Sequence, residues 1–285
     1  MLKRLSSSLF LWIIIIVAVV CWKSSGIIFL LSLLGVLASY EGAQLFKKFF
    51  LKSVHPLLLA TVAATAFTIT AIYPPSIHTC ALVFIIAIFA LFIFRIFTSG
   101  KNKLIGTFQE TASFAFLSLI SILLSHYIFV LQTLREASLD IEGCVFVLWI
   151  LATVKFSDVG GYAVGSSFGR HKIAPKISPG KSWEGLIGGL ISSAAISVFL
   201  VAMLGRFFPD NFTITAAALW ALPLGLLGFI SDLIESLIKR KAKAKDSGNM
   251  IPGIGGALDL CDSLLLSAPL GSTLAIYYFH PFILL

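Results

Sequence analysis

The amino-acid sequence predicts an all-α, polytopic integral membrane protein of about nine transmembrane helices, with its amino terminus in the cytoplasm and its carboxyl terminus outside. Three observations predict it. Composition is the first: 58% of the 285 residues are hydrophobic and 12% charged, with a mean hydropathy of +1.01. Soluble domains average roughly 45–50% apolar and about 25% charged, so lipid must be the solvent for much of this surface. The second is run length. Apolar runs of about 17–25 residues, enough to cross ~30 Å of hydrocarbon, lie near 6–22, 26–44, 55–74, 79–98, 111–133, 143–157, 185–205, 213–235 and 263–283, the sixth being the shortest. Helices are expected because each spanning segment must satisfy its own backbone groups. The third is charge placement. With Lys3 and Arg4 inside, only Lys23, Arg135 and Arg206 of the 21 basic residues fall outside, as the positive-inside rule requires.

The segment Leu9–Trp22 is followed at once by further spans, with no small-residue cleavage site between; it reads as a membrane helix and not as a removed signal peptide. Topology accounts for most of the net charge of +8, reinforced by anionic headgroups, so no nucleic-acid partner is implied. Cys21, Cys80, Cys144 and Cys261 are scattered, without a CxxC pair, and neither disulfides nor a zinc site is expected. No repeat or low-complexity linker divides the chain.

Its halves nevertheless differ. Residues 1–142 read as amino-terminal transmembrane helices whose acids (Glu110, Glu136, Asp140, Glu142) sit at span ends or in short loops. Glu41 is a partial exception, because it falls inside the end of the second span beside Tyr40. Residues 143–285 read as a carboxyl-terminal catalytic domain, with polar chemistry concentrated in two cytoplasmic stretches, 156–185 and 231–263.

In the second stretch Asp232, Glu235, Ser236 and Lys239 recur at i, i+3, i+4 and i+7, one stripe of a helix. Asp259 and Asp262, again i and i+3, open the last span. A charge well inside a bilayer helix costs at least ~2.5–3.5 kcal/mol and is rarely kept without a partner. Four carboxylates from two adjacent helices at one depth therefore point to a cation, and an all-oxygen set suits Mg²⁺. The competing reading pairs them with Lys239, Arg240 and Lys245 as structural ion pairs. Lys239–Gly248, KRKAKAKDSG, is by default a lipid-headgroup contact, but beside carboxylates it is well placed to hold phosphates. Pro252, Gly253, Gly255 and Gly256 follow, where backbone N–H groups approach an anion closely. In the first stretch Gly160, Gly161, Gly165 and Gly169 predict a flexible loop, with Asp158 at the membrane edge and Arg170, His171, Lys172, Lys176 and Lys181 following. Gly180-Lys181-Ser182 is no P-loop, since Pro175 stands where that motif needs glycine. His171 has no second histidine at ligand spacing.

Ser236-Leu-Ile-Lys239-Arg240, then Lys245-Asp246-Ser-Gly248, Ile251-Pro252-Gly253, Gly255-Gly256, Asp259 and Asp262-Ser263 resemble the signature of the phosphatidate cytidylyltransferases, the CDP-diacylglycerol synthases. Upstream, Ser157-Asp158, Gly161-Tyr162, Phe168-Gly169-Arg170, Ile177-Ser178-Pro179, Lys181 and Trp183-Glu184-Gly185 resemble that family's other loop. The resemblance covers roughly residues 156–263. It implies a nucleotidyltransferase of phospholipid biosynthesis in the cell membrane, of bacterial inner-membrane type. CTP and phosphatidate would give CDP-diacylglycerol and pyrophosphate at the cytoplasmic face. Asp232, Asp259 and Asp262 would hold Mg²⁺, and Lys239, Arg240, Lys245 and Asp246 would act in catalysis. Asp158, Tyr162, Arg170, Ser178, Lys181, Trp183, Glu235 and Ser236 would contact substrate. The partners implied are CTP, phosphatidate and bilayer lipids; a homodimer is left open. Five departures stand out: Ile254 and Leu260 replace a usual histidine and arginine, Ser231 replaces a glycine, and Gly180 and Ser182 replace lysine and threonine. The alternatives are a CTP-dependent lipid-alcohol kinase, an inactive homologue or a transporter; a transporter would place its charges at mid-membrane on repeated, broken helices.

Overall fold

The computed structural model describes residues 2–49, 104–250 and 255–283. The expected spans at 55–74 and 79–98, with Cys80, lie outside the described residues, as do Pro252, Gly253 and Ile254. What is described is almost wholly helical: α1 (Leu2–Phe49), α2 (Leu104–Glu136), α3 (Asp140–Phe168), a hairpin of β1 (Lys172–Ala174) and β2 (Ser178–Ser182), α4 (Trp183–Leu204), α5 (Ile214–Lys241), the one-turn α6 (Ala257–Cys261) and α7 (Ser267–Ile283). Among the described residues four stretches are long and apolar enough to cross a membrane: Phe10–Leu45, Asp140–Phe168, Trp183–Phe207 and Ile214–Lys241. Ala257–Leu264 with Ser267–His280 forms a further, broken one, bent by 50°.

The 36 residues of Phe10–Leu45 would run about 54 Å if straight, far beyond the bilayer core. They do not run straight. Lys23 leaves the helical region (φ 49°, ψ −133°), and a Cβ on Gly26 would lie 2.5 Å from the Ala18 carbonyl oxygen. Residues eight apart meet only where the chain doubles back, so the segments read as separate spans at 6–22 and 26–44 are the two arms of α1.

The glycine-rich stretch is not the flexible loop that its composition suggests. Helix α3 continues through Asp158, Gly160, Gly161, Tyr162 and Gly165 to Phe168, and the chain then passes through the β1–β2 hairpin straight into α4, capped by Ser182 accepting from Gly185 N at 3.1 Å. The glycines are contact points between helices. A Cβ on Gly189 would stand 2.7 Å from the Ser157 carbonyl oxygen, and one on Gly185 would stand 2.9 Å from that of Gly161. Where lipid offers no hydrophobic drive for helix association, small residues that let backbones meet supply the packing.

Helix α3 lies at the centre, with Phe146, Trp149, Ile150 and Val154 fully buried. Polar side chains are satisfied across the helices around it: Trp149 Nε1 donates to Ser197 Oγ (2.8 Å), which donates to the Ala217 carbonyl (2.8 Å), while Ser193 Oγ serves that of Ala221 (3.0 Å). Tyr127 of α2 donates to the Leu264 carbonyl at 3.0 Å, fixing the break before α7. The sharp turns at 205–207 and 262–264 are 3₁₀. The second of these sets the site.

Candidate active site

Helix α5 extends six residues beyond the apolar run 213–235, to Lys241, and so carries Asp232, Glu235, Ser236 and Lys239 on one stripe. The turn Asp262–Leu264 packs against it, held by Ser231 Oγ donating to the Asp262 carbonyl. This brings carboxylate oxygens of Asp232, Glu235 and Asp262 within 4.8 Å of one another. Three lysines surround them, one to each acid. Lys181 of β2 lies 2.8 Å from Asp232, Lys239 of α5 lies 2.5 Å from Glu235, and Lys155 of α3 lies 3.6 Å from Asp262. Lys181 also donates to the Phe229 carbonyl (3.2 Å) and stands over the Phe229 ring at 4.4 Å. Ser236 Oγ donates to Asp232 at 3.3 Å.

The three acids fit a hard divalent cation. All donors are oxygen, and the buried Glu235 Oε1 has no hydrogen-bond donor among the described residues. Close packing of three carboxylates is repulsive unless cations intervene; three lysines do so here, and an ion could share or replace them. The grouping differs from the expected Asp232, Asp259 and Asp262: Glu235 takes the place of Asp259. Both oxygens of Asp259 are engaged elsewhere. One accepts from Lys239 at 2.6 Å, the other from Ser247 N, Ser247 Oγ and Gly256 N at 2.9, 2.8 and 2.7 Å. Asp259 organises the loop before α6 and shares Lys239 with Glu235.

Other expected residues surround this centre at varying distance. Asp158 lies 3.7 Å from Lys155, half-exposed on α3. Arg240 donates through Nε to the Ile177 carbonyl at 3.1 Å, tying α5 to the hairpin turn beside Ser178, which begins β2. Tyr162, Arg170 and Trp183 are exposed on α3, at its end and at the start of α4. Lys245 and Asp246 are exposed on the loop after α5, outside the ion pairs of the cluster. His171 pairs with Glu184 at 2.6 Å, a structural use of a residue that has no part in the cluster.

Two further residues were not expected at the site: Lys155, inside the cluster, and Glu41, beside it. Lys155 donates to Ser263 Oγ at 2.7 Å besides facing Asp262 and Asp158. Its signal in the sequence is a lysine three residues before Asp158 at the end of an apolar run, which by itself reads as a membrane-edge anchor. Glu41, of α1, is 2% exposed and accepts from Ser247 Oγ and Leu258 N, both at 3.0 Å.

Fold and site together define an α-helical membrane protein whose acids and bases, carried by different elements, converge on one centre. More specifically, the chain belongs to the cytidylyltransferase family, whose sequence profile matches residues 2–279. It is 37% identical over 143 residues to the phosphatidate cytidylyltransferase of Haemophilus influenzae, an overlap of 50% of this chain and 48% of that protein. It is 33% identical over 182 residues to the phosphatidate cytidylyltransferase of Chlamydia trachomatis (62% and 58% of the two chains). It is also 44% identical over 128 residues to the uncharacterized protein YnbB of Escherichia coli (45% and 41%). The chain thus spans about half the length of the curated relatives it matches.

Proposed function

We propose that the protein transfers the cytidylyl group of CTP to phosphatidate, releasing pyrophosphate and forming CDP-diacylglycerol. The observation that carries this reading is the convergence of Asp232, Glu235 and Asp262, each with its own lysine, in a chain of the cytidylyltransferase family. An oxygen of phosphatidate's phosphate, already anionic, forms the new bond to the α-phosphorus of CTP. The bond from that phosphorus to the bridging oxygen breaks, and pyrophosphate departs with the electron pair. No nucleophilic side chain is required. The protein's task is to hold two polyanions in line and offset their repulsion.

Asp232, Glu235 and Asp262 would hold Mg²⁺, which supplies charge neutralisation on phosphate oxygens when bound. Lys239 and Lys181, paired with the acids, would hold phosphates of CTP; Arg240 and Lys245 extend that basic surface. Lys155 keeps Asp262 in register and balances its charge. Acyl chains stay in the bilayer, so only the headgroup must reach the centre. The same reading places nine spans across a bacterial-type inner membrane, the amino end inside and the centre at the cytoplasmic face, with residues 143–285 carrying the chemistry.

Purified protein incubated with CTP labelled at its α-phosphorus, Mg²⁺ and phosphatidate should form labelled CDP-diacylglycerol and pyrophosphate in equal amounts, and a chelator should stop both. CDP release with phosphorylation of a lipid alcohol, and none of the labelled liponucleotide, would refute the assignment in favour of a lipid kinase.

A further inference from the structure

Glu41 has no place in the chemistry just described, yet it is the carboxylate of the amino-terminal helices that the fold buries most completely among those described, at 2% exposure. An ionisable group inside a membrane segment is expensive and is kept where it has work to do. Its Oε2 accepts from Leu258 N and Ser247 Oγ, partners 217 and 206 residues away in the chain. Its Oε1 has no hydrogen-bond partner among the described residues. Gly248 and Gly256 approach it closely: a Cβ on either would overlap the Glu41 carboxylate, so a larger residue at either place would push that group aside.

From Glu41 an unbroken sequence of contacts leads to the centre. Ser247 Oγ lies between Glu41 (3.0 Å) and Asp259 (2.8 Å), its single hydrogen shared between two carboxylates. Asp259 accepts from Lys239 at 2.6 Å, and Lys239 lies 2.5 Å from Glu235. The basic loop that follows Lys241 and the lysine at the heart of the cluster are therefore anchored to a helix outside the carboxyl-terminal half.

We infer that Glu41 is a positioning residue, which holds Ser247 and Leu258, and through Asp259 the Lys239 ammonium, in the arrangement that receives the phosphates of the nucleotide. The role in nucleotide binding rests on the proposed function; the anchoring of the loop does not, and the two are tested separately. In the full-length, detergent-solubilised protein without ligand, trypsin cuts after Lys241, Lys243 and Lys245 should become about tenfold faster in Glu41→Ala, since cleavage follows local opening. Cuts elsewhere should be unchanged. Glu41→Gln, whose amide oxygen still accepts from Leu258 and Ser247, should stay within about twofold of the parent. Should Glu41→Ala fail to fold, Ser247→Ala removes the shared hydroxyl alone and should speed the same cuts. Unaltered cleavage at these lysines in whichever variant folds would overturn the inference, whatever the enzyme's activity.

The second arm is kinetic. Glu41→Ala should raise the KM for CTP at least about tenfold, leave the KM for phosphatidate within about twofold, and be rescued by Glu41→Gln. If both KM values rise together while the thermal midpoint falls, Glu41 is a folding residue only and the positioning role is refuted. A parent protein with no CTP-dependent turnover would sink the proposed function, and the cleavage pattern would still decide the anchoring.

Discussion

Replacing Lys155 by methionine tests the charge balance of the cluster most directly, because it keeps the stem of the side chain and removes only the ammonium. Nζ stands 3.6 Å from Asp262, 3.7 Å from Asp158 and 2.7 Å from Ser263 Oγ, with 24% of the lysine and 13% of the Asp262 side chain exposed. At an effective dielectric constant of about 20, the attraction to Asp262 alone is about 4–5 kcal/mol. Removing one member of a buried pair typically costs about 3–5 kcal/mol, because the other is left desolvated and unpaired. In metal-free detergent solution Lys155→Met should therefore melt well below the parent, by at least about 6 °C if each kcal/mol shifts the midpoint by about 2 °C.

A divalent cation should reverse part of that loss. Asp262, freed from its ammonium, becomes a stronger ligand. If an incoming ion need displace only about a third of the lost attraction, its affinity rises about tenfold, ~1.4 kcal/mol. The assay is the thermal midpoint with and without Mg²⁺, backed by Mn²⁺ titration of the ligand-free protein. The expected result is a larger cation-induced rise in Lys155→Met than in the parent. Equal rises, or a smaller one in the variant, would show that Asp262 is not part of a cation site or that Lys155 does not guard it.

Three further outcomes follow from the same geometry. Glu235→Gln should weaken Mn²⁺ binding and abolish turnover, whereas Asp259→Asn should chiefly raise the KM for CTP and spare cation affinity; the reverse pattern would restore Asp259 to the cation site. Gly189→Val should lower the thermal midpoint sharply by driving a side chain into the Ser157 carbonyl, while Gly205→Ala, with no neighbour within 4 Å, should leave it almost unchanged; similar midpoints would refute the close-packed α3–α4 contact. A reporter fused after Leu285 should lie on the non-cytoplasmic side and one inserted near Ala242 in the cytoplasm; both on one side would exclude the nine-span topology.

The parts of the site legible in the sequence are those that a single period encodes. Asp232, Glu235, Ser236 and Lys239 share a helical stripe, and α5 presents them as that spacing requires. Asp259 and Asp262 have the same spacing, but only two residues of α6 stand between Gly256 and Asp259, and the chain tightens to 3₁₀ at Asp262. The two aspartates therefore face different ways, one back into its loop and one toward α5. A period assumes one helix type throughout, and it fails where that changes. The glycines of 160–169 misled for another reason. In water such a run signals a loop; in lipid the same residues let two helices touch, and so α3 runs on past Lys155 where a loop was expected.

Lys155 and Glu41 share one property that no local pattern encodes: their partners lie far along the chain, at Asp262 and Ser263 for the first and at Ser247 and Leu258 for the second. The three lysines of the cluster come from α3, β2 and α5, and the loop beside it is anchored on α1. None of these elements alone balances the charge of the acids that it meets. Three carboxylates within 4.8 Å repel one another unless cations lie among them, and here those cations arrive from three elements. The glycine contacts of α3 and α4 are thereby a condition for the chemistry as well as for the fold: a wedge at Gly189 would push α3, which carries Lys155, away from α4 and the hairpin that leads into it with Lys181, and with them the counter-charges of Asp262 and Asp232.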